Sequence, residues 1–250
     1  MSETGNLPQK WDEELAKYAE AGAKAERPSA SFISLRAGVL TYGGSPIPNN
    51  KLSCVILNSA YEHTYYTEKY DADNPRSPKC FALSTMDLDP SEIGPHSMSG
   101  DPQDERCAQC WAHKWRSDPN GGRGKACQER RRLILIPNQD NWTADDVLAA
   151  EVAVMKLPVT SSKVWSNYVN LLSSLHRRPP FAMVTEITTQ PDAKTQFKMV
   201  FTPQHELPHD VLSAIMQKRE LSESVLLKPY DPSETEEAPK ATKKGTKHEA

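Results

Sequence analysis

Nowhere in these 250 residues does an apolar run approach the ~20 residues that a membrane-crossing helix needs. The opening stretch, MSETGNLPQKWDEELAKYAEAG, also lacks the apolar segment of a secretory signal. The expectation is a protein that stays, without membrane attachment, in the cytoplasm of the cell that makes it. No internal repeat is present. P-loop, HExxH and GxSxG sequences are all missing, which removes three common enzyme signatures. The histidines are scattered, and His205 and His209 flank Pro208 as a helix start would. Asp71, Asp73, Asp87 and Asp89 could hold a nuclease metal, but loop acids of this kind are usually solvated. The chain is not expected to be an enzyme.

Strong charge of one sign is missing too, since 30 Lys and Arg nearly balance 33 Asp and Glu. The distribution is less even. Arg106, Lys114, Arg116, Arg123, Lys125, Arg130, Arg131 and Arg132 are opposed over residues 106–132 only by Asp118 and Glu129. That segment carries +6 and the remainder −9, from a net charge of −3. A basic patch on an acidic body suits a polyanion bound at one face.

The element pattern is mainly β with flanking helices (α+β). Residues 11–22 read as a short helix, and residues 1–28 as an N-terminal helical arm. SASFISLRAGVLTYGG reads as a strand pair or a bent strand, and KLSCVILNSAYEHTYY as the strongest strand, buried on both faces near its start. Residues 71–131 are poor in apolar side chains and rich in Pro, Gly, Asp and Ser, which is suspect unless something ties them down. RRLILIP, EVAVMKLP, PPFAMVTEITT and TQFKMVFTP read as strands. Residues 161–175 and DVLSAIMQKREL read as helices, with a linker at 138–146. The tail, 226–250, is expected to be disordered from about Tyr230. This order fits an OB-like small barrel over 29–225, with a zinc-binding subdomain inserted at about 71–132.

A reducing compartment favours metal ligation over disulfides. Cys80, Cys107, Cys110 and Cys127 are spaced C-x26-C-x2-C-x16-C, and the C-x2-C knuckle lets two thiolates face one ion. The expected cofactor is one structural Zn2+. Four thiolates close its coordination sphere and leave no place for activated water. His96 and His113 are substitute ligands, and an iron–sulfur cluster remains open. Cys54 is left over for core packing.

The candidate binding residues are Tyr61, Tyr65, Tyr66, Tyr70, Trp111, Lys114, Trp115, Arg116, Arg123, Lys125, Arg130, Arg131 and Arg132. Aromatic faces mixed with Arg and Lys suit single-stranded nucleic acid, where bases stack and cations follow phosphates. Tyr61, Tyr65 and Tyr66 cannot all point one way on a strand, so about half should be exposed. Trp111 has two readings, packing over the zinc knuckle or stacking on a base. Alternation places Arg130 and Arg132 on one strand face.

The succession SPKC, CAQCWAHKW, GRGKACQERRRLILI, LPVTSSKVWSNYVNLL, PPFAMVTEITT and FKMVFTP resembles a widespread group of bacteriophage single-stranded-DNA-binding proteins. The resemblance spans roughly residues 30–220 and is strongest at the cysteines and at GxGKxC-x-x-x-R-R. In layout the chain is also similar to the zinc-containing, OB-fold helix-destabilising protein of T-even phages, which uses three cysteines and one histidine. The resemblance implies sequence-nonspecific coating of displaced strands in phage DNA replication and recombination, inside a bacterial host. It also implies replication or recombination proteins as partners. SETEE fits the acidic tail of such proteins, whereas KATKKGTKHEA reverses the charge. The alternative is a zinc-stabilised adaptor that binds a host or phage protein such as a polymerase.

Overall fold

The computed structural model describes residues 31–68, 76–119, 121–139, 141–193 and 196–230, together with Tyr18. The expected N-terminal helix lies outside these residues except for Tyr18, which is helical and exposed. Tyr70, Asp71, Asp73 and the tail beyond Tyr230 also lie outside them.

The chain begins with a hairpin of β1 (Ser31–Arg36) and β2 (Val39–Tyr42). Ala37 and Gly38 turn it with positive φ of 48° and 81°, the left-handed pair that a tight hairpin turn demands. A two-residue strand, β3 (Ser45–Pro46), pairs with β2. The organising element is β4 (Lys51–Tyr65), 15 residues long. Its β-branched and aromatic residues favour the extended state, and its middle is buried on both faces. Five more strands follow: β5 (Cys80–Thr85), β6 (Cys127–Pro137), β7 (Ala153–Leu157), β8 (Met183–Asp192) and β9 (Gln196–Glu206) complete the sheet with β4 at its centre.

The strand order is β3-β2-β1-β7-β6-β4-β8-β9, with β5 paired to β4 outside this path. Among the described residues only the β1–β7 pairing is parallel. The first part of β4 pairs with β8 and the last part with β5, while β6 runs alongside most of its length. A register shift between Ile56 and Asn58 bends it at the changeover. The sheet curls into a half-barrel. Asn50 (φ 56°) fastens the curl: its amide donates to the Gly38 carbonyl and to Thr189 of β8, and its oxygen accepts from the Leu40 N–H at 2.7 Å.

Two cores sandwich this sheet. Inside the curl, Leu40, Ile56, Leu133, Met155, Ile187 and Phe201 pack with Trp165, Tyr168 and Leu172. The last three come from α2 (Ser162–Leu171) and its continuation as a π turn to His176; their spacing puts them on one helix face. Outside it, Val55, Leu57, Ile134, Ile136 and Val184 meet α1 (Ala144–Ala149), α3 (His209–Leu221) and α4 (Glu223–Leu226). Each fully buried Leu or Ile contributes ~1.5–3 kcal/mol, so the double-sided strands β4 and β6 anchor the molecule. Cys54 is fully buried in the inner core, where burial raises its thiol pKa.

Most expected strands and helices are present. The stretch 71–131 differs, because β5 lies within it and β6 starts at Cys127, before RRLILIP. The expected linker at 138–146 runs into α1, whose N-terminus has a capping box made by Thr143 and Asp146. No helix among the described residues is long and apolar enough to cross a membrane.

Candidate metal and nucleic-acid site

Alternation along β4 and β6 builds the site. Directly opposed residues on antiparallel strands share a face. The register therefore sets three rows across β5, β4 and β6: Cys80, Tyr65 and Cys127; Ala82, His63 and Glu129; Ser84, Tyr61 and Arg131. The segment after Ile93 folds over these rows. It is held to the rim of β5 by His96 N–H to Phe81 O (2.7 Å) and Asp101 N–H to Lys79 O (2.8 Å). Gly94 lets it pass closely, since a Cβ there would stand 2.8 Å from the Glu105 carbonyl. Cys107 N–H then bonds Ile93 O at 2.8 Å, and a single 3-10 turn, Trp111–His113, follows Cys110.

One cavity results, with Cys80, Cys107, Cys110, Cys127, His63 and His113 in its wall. Cys107 and Cys110 are buried, and Cys80 and Cys127 are half-buried. Burial, then the neighbouring thiols, pushes Cys107 and Cys127 up to about 12; burial also raises Cys80. Uncharged thiols that line one cavity would become thiolates if a cation bound among them and offset their repulsion. The donor set suits zinc in type and number. The sulfurs do not, however, form a group within 4.8 Å of one another. Among the described residues that group is His63, His113 and Glu129.

His113 Nδ1 meets the Cys107 carbonyl at 2.8 Å, and its Nε2 meets Glu129 Oε1 at 2.7 Å. Glu129 Oε2 accepts from Lys125 Nζ at 2.6 Å. Burial would raise the Glu129 carboxyl, but Lys125 and His113 hold it below the usual range. His63 is 4% exposed; burial and then His113 push it down to about 4, so its ring is neutral near pH 7. Its Nδ1 has no hydrogen-bond partner. Of the histidines expected as substitute ligands, His113 lines the cavity, while His96 stacks on Phe81 at 5.0 Å and accepts from the Met98 N–H. His63 and Glu129 were missed. The alternation in EHTYY and CQER puts them on the face of Tyr61 and Cys127, and only the register brings them together.

Toward solvent, the same face becomes aromatic and cationic. The Arg131 guanidinium lies 3.9 Å above the Tyr61 ring. Trp111 stands edge-on to Tyr65 at 5.5 Å, and its N–H donates to Gln103. Trp115 is 75% exposed, with Lys125 Nζ 5.5 Å from its ring. Lys114, Arg116 and Arg123 are exposed, and Tyr66 is half-buried. Ser117 secures this loop by accepting from the Ala126 N–H at 2.9 Å and donating to the Lys114 carbonyl.

Arg132 departs from expectation. It shares a strand face with Arg130, as alternation requires, but that face turns inward. Arg132 is 4% exposed and is paired with fully buried Glu62. It also donates to the carbonyls of Leu226 and Lys228, and Tyr230 Oη donates to Glu62 at 2.9 Å. Arg130, half-buried, donates to Gln128. Arg132 is therefore removed from the exposed set. Of the acids considered for a nuclease, Asp89 caps its own turn through the Ser91 N–H, and Asp87 is exposed. Comparison with known protein families, with curated proteins and with solved structures found no match to this chain.

Proposed function

We propose that this protein binds single-stranded DNA without sequence preference, across the face formed by the end of β4, the start of β6 and the loop 107–126. The observation that carries this reading is the aromatic–cation row of Tyr61 with Arg131, Trp111 with Tyr65, and exposed Trp115 with Lys125. Aromatic faces take bases of any identity, and Arg and Lys follow phosphates, so recognition of this kind is tolerant of sequence. Lys114, Arg116 and Arg123 lie exposed on the same loop and extend the cationic track. The resemblance to phage single-stranded-DNA-binding proteins supports the reading, and the curled sheet is compatible with an OB-like barrel. In that role the protein would coat displaced strands during phage DNA replication or recombination.

The same proposal makes Cys80, Cys107, Cys110 and Cys127 the ligands of one structural zinc ion. Around zinc, thiolates at ~2.3 Å stand about 3.8 Å from each other, so the sulfurs draw together on binding. The ion supplies a rigid crosslink between two sheet strands and the loop; His113, bonded to the Cys107 carbonyl, holds the knuckle from behind.

Titration of tryptophan fluorescence with oligo-dT at two salt concentrations tests the DNA reading. Quenching with an affinity that falls steeply with salt is expected, because each neutralised phosphate releases counterions. Absence of both overturns it. Capture of an acidic protein after nuclease treatment, with no DNA affinity, would instead favour the adaptor reading of the +6 segment.

A further inference from the structure

We infer that His63, His113 and Glu129 form a second metal site, separate from the cysteine set, for a borderline divalent ion such as Zn2+ or Co2+. One ligand atom from each residue lies within 4.8 Å of the others. Their hydrogen bonds already have the pattern of metal ligands. A carbonyl only accepts, so His113 Nδ1 carries the proton in its 2.8 Å contact with Cys107 O. That bond fixes the ring and turns Nε2 toward Glu129 Oε1 at 2.7 Å, where Nε2–H donates to the carboxylate and a bound ion would displace that proton to solvent. An Nδ1–H to carbonyl bond with Nε2 aimed at the ion is how metal-binding histidines are commonly held.

His63 gives an independent reason. It is 4% exposed, it lies in the cavity wall, and its Nδ1 has no partner. Buried nitrogens are rarely left unbonded, because desolvation goes uncompensated. A metal ion between the two histidines and Glu129 would engage the site that His63 leaves open. Lys125, at 2.6 Å on Glu129 Oε2, orients the carboxylate, so that an ion bound at Oε1 would replace the contact with His113.

Two imidazoles with one carboxylate suit zinc, cobalt, nickel or ferrous iron. Magnesium and calcium prefer sites made of oxygen alone. Four thiolates around a divalent ion carry a net charge of −2, so the proposed cysteine site would favour a second cation nearby. His63 and Glu129 are cross-strand partners on the sheet, whereas His113 arrives from the loop. This ion would tie the loop down in the middle row, next to Tyr61 and Arg131. Three protein ligands also leave a coordination position open, unlike a closed set of four cysteines.

The full-length chain, stripped of metal under reducing and oxygen-free conditions, can be titrated with Co2+. Elemental analysis should find two cobalt ions per chain. Thiolate-to-cobalt charge-transfer absorption should account for only one of them, and the other should add ligand-field bands alone. Glu129→Gln and His63→Ala should each reduce the count to one and leave the charge-transfer absorption unchanged. One cobalt per chain in the unsubstituted protein, with full charge-transfer absorption, overturns the inference. A charge-transfer band altered by His63→Ala also overturns it, since His63 would then belong to the thiolate set. If the cysteine proposal alone fails, the charge-transfer band is missing while a cobalt ion still binds and is lost in His63→Ala. Should His63→Ala fail to fold, Glu129→Gln and X-ray absorption at the zinc edge of the unsubstituted protein give the same decision. Mixed sulfur and nitrogen–oxygen shells at two zinc ions support the second site, and a pure sulfur shell at one zinc ion overturns it.

Discussion

Arg132 lies under Tyr230 with its guanidinium shared among Glu62 and the carbonyls of Leu226 and Lys228, while Arg131, one residue earlier, covers the ring of Tyr61. Period-two alternation alone sends these neighbours to opposite faces. Breaking a buried ion pair leaves an uncompensated charge, so Glu62→Gln should lower unfolding free energy by ~3–5 kcal/mol in urea titrations. Burial would raise the Glu62 carboxyl, but Arg132 and Lys156 outweigh it and hold the carboxyl below its ordinary range. A depressed carboxyl contributes stability above its unfolded pKa of ~4.3 and loses that contribution as pH falls through the folded value. Stability of the native chain should therefore drop more steeply below about pH 4 than that of Glu62→Gln; parallel acid profiles would contradict this. Across the sheet, Tyr61→Ala should weaken oligo-dT binding by ~1–3 kcal/mol, the worth of one stacked base, with little change in the salt slope. Arg131→Ala should instead flatten that slope.

Among the elements, β4 governs the architecture. It pairs with β8 before its bulge and with β5 after it, which lets one strand serve both the core of the curled sheet and the candidate site. The curl depends on Asn50, whose side chain bridges the β1–β2 turn to β8. Asn50→Ala loses those bonds and places alanine at positive φ, so a loss of ~2–3 kcal/mol is expected in thermal or urea unfolding. Strands with clear periodicity, β4, β6, β8 and β9, were legible in the sequence, as were α2 and α3. β5 was not: CFALST is short and stands in a Pro- and Asp-rich stretch, and its strand character comes from pairing with β4. α1 is only six residues, too short for a periodic signal, although T-A-D-D is a readable cap.

At the level of the whole molecule, the loop 93–126 has few apolar side chains in the core beyond Ile93, Cys107, Cys110 and Ala112. Little hydrophobic burial holds it to the sheet, so the proposed metal must supply much of its stability. Chelation should raise amide hydrogen exchange over 93–126 far more than at the core residues of β6 and β8. Equal exchange with and without chelator would argue against the zinc proposal. Salt should act on DNA binding through the exposed loop cations, whereas Arg132 should contribute nothing to the slope.

The residues themselves announced a mainly β chain with flanking helices, because alternation and helical spacing are local properties of the sequence. They also singled out the four cysteines, which the fold brings to the wall of one cavity, and the basic, aromatic segment beside them. Which cations face outward was decided by tertiary structure, since strand alternation gives two faces but not which one is covered. Tyr230 and the carbonyls near it cover the face of Arg132. The pairing of His63 with Glu129 was decided the same way: residues so distant in sequence meet only through the β4–β6 register, which the whole sheet sets.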